Sequence, residues 1–246
     1  MPARDDEARP PAVMSRPRRP RGLVIAIDGP SGAGKSTAGR ALAERLGYTF
    51  LDTGAMYRAL ALKALRAGVP LGDGEALAAL ARQTRIDLVD GGRGVLLDGA
   101  DVTGAIRTAA VTAAASRVSA LGPVRREMVA RQQDLGRRGG VVLDGRDIGT
   151  AVFPDAEVKF YVDADPRRRA QRRREELFAA GTDTDLEEVE REIRARDHAD
   201  STRADSPLTR APDAIAIETS ALTPEEVVER MLSVVRERAA RGEDAG

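Results

Sequence analysis

The sequence predicts an α/β fold built on a parallel five-stranded sheet flanked by helices, and three observations carry that expectation. Short, continuous apolar runs recur along the chain. Each is separated from the next by sequence with helical spacing, and the first run opens directly onto a glycine-rich loop. Unbroken apolar runs mark strands buried on both faces. Helices between such strands imply right-handed crossovers within one parallel sheet. A length of 246 residues with 42% hydrophobic content suits one medium domain, or one domain carrying an insertion.

Taken in order, residues 1–21 (MPARDDEARPPAVMSRPRRPR) combine proline, arginine and aspartate with almost no apolar content, so burial cannot offset the entropy of ordering them. A disordered tail is expected there, with Met14 inside it as an alternative start, and residues 22–246 as the folded domain. Leu23–Ile27 (LVIAI) is the first strand and Lys35–Leu46 the helix after it. Thr49–Leu51 is a second strand, followed by a helix over Ala55–Arg66 that Gly68 closes. Residues 70–107 break the rhythm. Glu75–Gln83 is a short helix, and Ile86–Val89 and Gly94–Leu97 are strand-like pieces joined by the hairpin-type turn DGGR. This stretch, about 68–107, reads as an insertion with its own small antiparallel sheet. Val141–Leu143, Val158–Val162 and Ala214–Ile217 supply the remaining strands. Asp165-Pro166 starts an arginine-rich helix, and Thr223-Pro224-Glu225-Glu226 gives the last helix a cap, a first-turn proline and a capping-box glutamate.

Composition removes several function classes. The chain has no cysteine, so disulfides, thiolate nucleophiles and cysteine zinc sites are excluded. Its only histidine is His198, expected to face solvent, which speaks against triads and multi-histidine metal sites. Thirty-nine basic and 39 acidic side chains cancel, so affinity for nucleic acid or anionic lipid would need a local basic cluster. No apolar run approaches the ~20 residues of a membrane span and the N-terminus lacks the apolar centre of a signal peptide, so a cytoplasmic location and no membrane partner are expected.

Gly29-Pro30-Ser31-Gly32-Ala33-Gly34-Lys35-Ser36 satisfies GxxxxGK[ST] directly after a strand and before a helix, and Thr37 follows it. The glycines let successive N–H groups turn inward, and the helix N-terminus adds its positive end. Lys35 would reach the β and γ phosphates of a nucleotide, and Ser36 would help ligate the Mg²⁺ that accompanies ATP. Such a cradle serves a transferase, a hydrolase or a nucleotide-gated switch alike.

A second phosphate has candidates at two strand ends. In LDTGAMYR, Thr53 and the turn's N–H groups can donate to it, and Arg58 can form a two-pronged pair; Thr53 as a plain helix cap is the alternative. In VVLDGRDIGT, Asp144, Arg146 and Asp147 sit at the carboxyl end of a strand, where ligands gather in open parallel sheets. Asp144 can hold Mg²⁺ through water or cap the loop. Along DPRRRAQRRREEL, Arg168 lies over Arg172 and Arg169 over Arg173, a repulsion of a few tenths of a kcal/mol per pair that an anion would relieve. A lid closing on ATP phosphates, a solvated face partnered by Glu175 and Glu176, and an RNA-binding stripe all satisfy it.

The stretches IDGPSGAGKST, LDTGAMYR, Asp144–Pro154 (DGRDIGTAVFP) and RDHADSTR (Arg196–Arg203), in this order, resemble the bacterial cytidylate kinases, nucleoside monophosphate kinases of the P-loop fold. The resemblance runs from about Leu23 to near the C-terminus and takes in the insertion. It implies a P-loop NTPase fold with an inserted monophosphate-binding subdomain and a helical lid over about 165–203. It further implies transfer of the ATP γ-phosphate to CMP or dCMP, with Mg²⁺. Gly29 to Thr37 would bind ATP. Thr53, Arg58 and Arg146 would hold the acceptor phosphate, and Ser116, Arg125 and Asp147 would surround the cytosine. Asp200 and Arg203 would reach the sugar and base side, while Arg196 would serve the phosphates during transfer beside Lys35 and Arg146. ATP and CMP or dCMP are the expected partners, with no nucleic acid, and the expected state is a monomer. Another small-molecule kinase, a nucleotide-dependent switch and an RNA-binding module remain as competing readings.

Overall fold

A computed structural model describes residues 19–179 and 181–243 of the chain. Strands β1 (Val24–Asp28), β2 (Thr49–Asp52), β6 (Val141–Gly145), β7 (Val158–Asp163) and β8 (Ile215–Glu218) form one parallel sheet in the order β2-β6-β1-β7-β8. Every residue of β1 is buried, which is why its sequence is an unbroken apolar run. Ile25 and Ile27 pack on one face with Leu42 of α1 (Lys35–Leu46) and Val228, Met231 and Leu232 of α8 (Pro224–Glu243). Val24 and Ala26 point to the other face, against Val152 and Phe153. The period-2 alternation of a strand thus meets an apolar layer on both sides. At the head of α8 the capping box forms as expected: Thr223 N donates to Glu226 Oε2 at 2.8 Å and Glu226 N to Thr223 Oγ1 at 3.3 Å.

Between β2 and β6 lies a second core. Helices α2 (Thr53–Ala67), α3 (Gly74–Arg82), α4 (Ala109–Ser119) and α5 (Gly122–Gly136) surround an antiparallel sheet of β3 (Ile86–Val89), β4 (Gly94–Leu97) and β5 (Ala100–Asp101). The expected hairpin forms, with Val89 opposite Gly94 and Ile86 opposite Leu97, joined through a 3-10 turn at Asp90–Gly92. Met56, Leu60, Leu77, Val118 and Met128 share one cluster, so α2, α4 and α5 complete the core around residues 68–107.

The arginine-rich segment forms α6 (Pro166–Ala179), which packs with α7 (Leu186–Thr202) through Ala170, Val189 and Ile193. Among the described residues no helix is long and apolar enough to cross a membrane.

Residues 1–18 of the expected tail, including Met14, lie outside the described residues. The last three positions of that stretch require a correction. Arg19 pairs with Glu157 at 2.5 Å and Asp155 at 2.7 Å and lies over the Phe153 ring, and Arg21 N donates to Arg138 O. Arg19–Arg21 therefore belong to the folded domain. A charge pair reaching a partner more than 130 residues away leaves no mark on local composition.

Candidate active site

Three aspartates end three neighbouring strands at the carboxyl edge of the sheet: Asp52 on β2, Asp144 near the end of β6 and Asp28 on β1. Asp52 lies opposite Asp144, and Ile27 opposite Asp144 on the other side. All three are buried. Burial raises the pKa of Asp144 to about 6, and Asp52 across the strand pair pushes the same way. Burial likewise raises Asp28 to about 6, against the pull of two backbone N–H donors.

The glycine-rich loop leaves β1 beside them. Gly29 has φ 145°, and a side chain there would overlap the Val162 carbonyl. Gly34, with φ 89°, sets the left-handed turn into α1. Lys35 is buried and its ammonium donates to Pro30 O at 2.6 Å. Burial, reinforced by Arg146 and Arg196, lowers its pKa to about 7. Ser36 Oγ donates to Asp144 Oδ2 at 2.5 Å, while Asp144 Oδ1 is buried with no hydrogen-bond partner. A serine hydroxyl beside a buried carboxylate oxygen is a hard-oxygen donor set, the kind Mg²⁺ accepts. Among the described residues no cluster of three or more His, Cys, Asp or Glu is placed to hold a metal by itself.

One cleft opens over this edge. Ser31, Gly32, Lys35 and Ser36 line it from the loop; Asp52, Thr53, Tyr57 and Arg58 from β2 and α2; Asp144, Arg146 and Asp147 from β6 and its loop. Ser119 and Arg125 reach it from α4 and α5, and Arg196, Asp200 and Arg203 from α7 and its end. Five arginines and a lysine thus face four aspartates, an excess of positive charge suited to phosphates.

Most of these side chains are held by nameable contacts. Asp52, not Thr53, caps α2 by accepting from Ala55 N at 2.7 Å, and it pairs with Arg58 at 3.1 Å. Thr53 Oγ1 instead donates to Asp144 O at 2.7 Å, so its reading as a plain cap is corrected. Arg146 Nε donates to Asp200 Oδ2 at 2.8 Å. Burial opposes the charge on Asp200, but Arg146, Arg196 and Arg203 outweigh it and hold the carboxyl below its ordinary range. Asp147 is buried against Arg125, which donates to it, and lies 3.7 Å from Arg203. Arg125 also donates to Ser119 O at 3.0 Å and lies 5.8 Å over the Tyr57 ring. Burial, with Arg146 next, lowers the pKa of Arg196 to about 10, and its Nε is buried without a partner.

The structure therefore gathers the sequence-derived residues of the two sides, with exceptions. Ser116 does not line the cleft; Ala115 and Ser119, its neighbours on α4, do. Of Gly29 to Thr37 the cleft takes Ser31, Gly32, Lys35 and Ser36. None of the α6 arginines lines it. Arg172 donates to Thr219 O at 2.6 Å and Arg168 to Gln171, while Arg173 pairs with Glu176. Arg169 is buried and donates to Ala164 O and Ser31 O while pairing with Asp197 at 2.7 Å. The crowding of α6 is relieved by carbonyls and carboxylates of this chain. His198 is exposed, as expected. Sequence reasoning missed Tyr57, Asp52 and Asp28. Tyr57 and Asp52 lie inside the LDTGAMYR stretch already singled out, and Asp28 directly precedes the loop.

Comparison with known proteins agrees with this geometry. Residues 25–237 match the family described as cytidylate kinase. The protein named cytidylate kinase in Geobacillus kaustophilus (strain HTA426) is 53% identical over 220 residues, covering 89% of this chain and 98% of its own. Its namesake in Syntrophotalea carbinolica is 52% identical over 220 residues, covering 89% of this chain and 94% of its own. In Symbiobacterium thermophilum the protein of the same name is 52% identical over 215 residues, covering 86% and 95%. The chain belongs to the cytidylate kinase family.

Proposed function

We propose that this cleft transfers the γ-phosphoryl group of ATP to CMP or dCMP, with the loop residues holding the donor and the residues from α2, β6, α5 and α7 holding the acceptor. The observation that carries the reading is the convergence of Lys35 and Ser36 with Arg58, Arg146 and Arg196 on one cleft. Two anionic substrates need positive charge, alignment and exclusion of water rather than a strong base, because the acceptor is already a phosphate anion. An acceptor oxygen forms the new bond to Pγ as the bond from Pγ to the β–γ bridging oxygen breaks, and the bridging oxygen leaves on ADP.

Lys35 and the N–H groups of Ser31 to Ser36 hold the β and γ phosphates. Phosphate charge offsets the burial that depresses Lys35 and keeps its ammonium protonated. Ser36 Oγ and Asp144 would hold Mg²⁺, which when bound neutralises phosphate charge. Thr53, Arg58 and Arg146 grip the acceptor phosphate, with Arg58 and Arg146 steadied by Asp52 and Asp200. Arg196 serves the phosphoryl group in flight. Asp147 and Arg125 face the base, and Asp200 and Arg203 the sugar and base side. The protein acts as a cytoplasmic monomer in pyrimidine nucleotide metabolism, without nucleic acid or membrane.

A coupled assay of ADP release with CMP, dCMP, UMP and AMP tests this reading. CMP and dCMP should give the highest kcat/KM; ADP release indifferent to the acceptor would overturn it.

A further inference from the structure

Asp28 stands where the two half-sites meet. It ends β1, and Gly29, the first residue of the phosphate loop, follows it. Asp28 is 4% exposed and is absent from the cleft lining, so its carboxylate is not among the groups that face the cleft. What it touches is backbone. Oδ1 accepts from Ile148 N and Oδ2 from Gly149 N, each at 2.7 Å. Those two N–H groups open the π-helical turn Ile148–Val152, where no preceding turn can accept from them. Arg146 and Asp147, on the acceptor side, come immediately before.

The rest of the loop is tied down on its far side. Lys159 donates to Pro154 O at 2.6 Å and to Asp213 at 3.0 Å, and its stem runs past Gly149. A Cβ on Gly149 would come within 3.0 Å of Lys159 Cδ and 3.3 Å of Asp28 Oδ2, so the carboxylate and the turn approach through a gap that no side chain shares.

We propose that Asp28 is a positioning residue: its two carboxylate oxygens clamp the turn after Asp147 to the strand that launches the phosphate loop, fixing the distance between donor and acceptor sites. The clamp needs two acceptors on one group. Asparagine has the same size, but it offers one acceptor and sets an NH2 against the other N–H, leaving a buried donor unpaired. No residue of this loop beyond Asp147 lines the cleft, so on the acceptor side the effect reaches the reaction through Arg146 and Asp147. A displacement of ~1 Å between reacting groups lowers turnover about 100-fold.

The inference rests on the acceptor-side reading of Arg146 and Asp147, and its test separates the two. The parent, Asp28→Asn and Gly149→Ala are compared for kcat, KM for CMP, ATP affinity in the absence of acceptor, and the CMP/UMP ratio of kcat/KM. For Asp28→Asn we expect kcat to fall at least about tenfold and KM for CMP to rise, with a lower CMP/UMP ratio and ATP affinity within about threefold of the parent. Gly149→Ala, which crowds the same clamp from the other side, should show the same split. Equal losses of ATP and CMP binding would overturn the proposal in favour of a role in shaping the phosphate loop. So would a lowered Tm with unchanged kinetics below it, the signature of a purely structural contact. If Asp28→Asn does not fold, Gly149→Ala decides by the same criteria. A parent inactive on CMP sinks the acceptor-side reading and this inference together, whereas an active parent with no split sinks this one alone.

Discussion

Replacing Asp147 with asparagine isolates how the cleft tells cytosine from uracil. Cytosine presents an N4 amino donor beside acceptors at N3 and O2, while uracil presents an O4 acceptor and an N3 donor. Asp147 is 5% exposed and Arg125 4%, so a mismatched group there has no water to turn to. A hydrogen bond to a carboxylate contributes about 1.5–3 kcal/mol and one between neutral groups about 0.5–1.5 kcal/mol. The variant therefore loses about 1 kcal/mol or more on CMP, and its amide gains a comparable amount on UMP by donating to O4. Asp147 also lies between Arg125 and Arg203, and removing its charge disturbs both arginines. Disturbance of Arg203 weakens either substrate alike, whereas disturbance of Arg125, which faces the base, falls harder on CMP, whose N3 accepts where that of uracil donates. The expected outcome is a fall of at least about tenfold, roughly 1.4 kcal/mol, in the CMP/UMP ratio of kcat/KM. Steady-state kinetics on both acceptors reads it. An unchanged ratio, with both substrates impaired together, would refute the direct base contact and leave Asp147 as an anchor for Arg125 and Arg203.

Lys35→Ala should reduce kcat by at least about 100-fold, because the charge developing on the transferred group loses its partner. The same change should not lower Tm at pH 7, since the folded state holds this lysine's pKa at about 7 against 10.5 unfolded. In that interval the unfolded chain binds more protons, so the ligand-free parent should gain stability relative to the variant between about pH 7 and 10; a parent that loses ground by thermal melting contradicts the burial argument. Asp200→Ala should raise KM for CMP at least about tenfold with KM for ATP nearly unchanged, because it frees Arg146 and removes a carboxylate from the acceptor side; equal shifts would remove that role. Arg19→Ala should cost about 1–2 kcal/mol, a few degrees in Tm, and leave kcat untouched, since Arg19 pairs with Glu157 beyond the amino ends of β1 and β7, away from the cleft. An altered kcat would show that the segment reaches the site.

How much could be read from the chain depended on the range of the interactions. The central strands β1 and β6 are short apolar runs buried on both faces, and the last helix carries its capping box in four consecutive residues, so both were written locally. The phosphate loop was equally plain, because its glycines and Lys35 adjoin. Strand β5 was not: two exposed residues, Ala100 and Asp101, carry no apolar signal and pair only because β4 lies alongside. The arginines of α6 were legible only in part, for the opposite reason. Their i,i+4 crowding was visible, but Arg169 pairs with Asp197 and reaches Ser31 O 138 residues away, and Arg172 finds Thr219 O 47 residues away, so partners distant in sequence take up part of the charge that their spacing brings together. Asp28 meets Ile148 across 120 residues, and nothing near Asp28 in sequence announces the contact. Arg125, Arg196, Asp200 and Arg203 were reached only through resemblance to a family, and Ser116, brought in the same way, lies off the cleft lining.

The central claim is that one cleft holds both nucleotides and passes the phosphoryl group between them without water. Reaction with ATP labelled at the γ-phosphate, in the presence of CMP, followed by separation of the products, addresses it directly. The account predicts label in CDP in equal amount to the ADP formed, and almost none in inorganic phosphate. Label released as inorganic phosphate at a rate independent of CMP would contradict it.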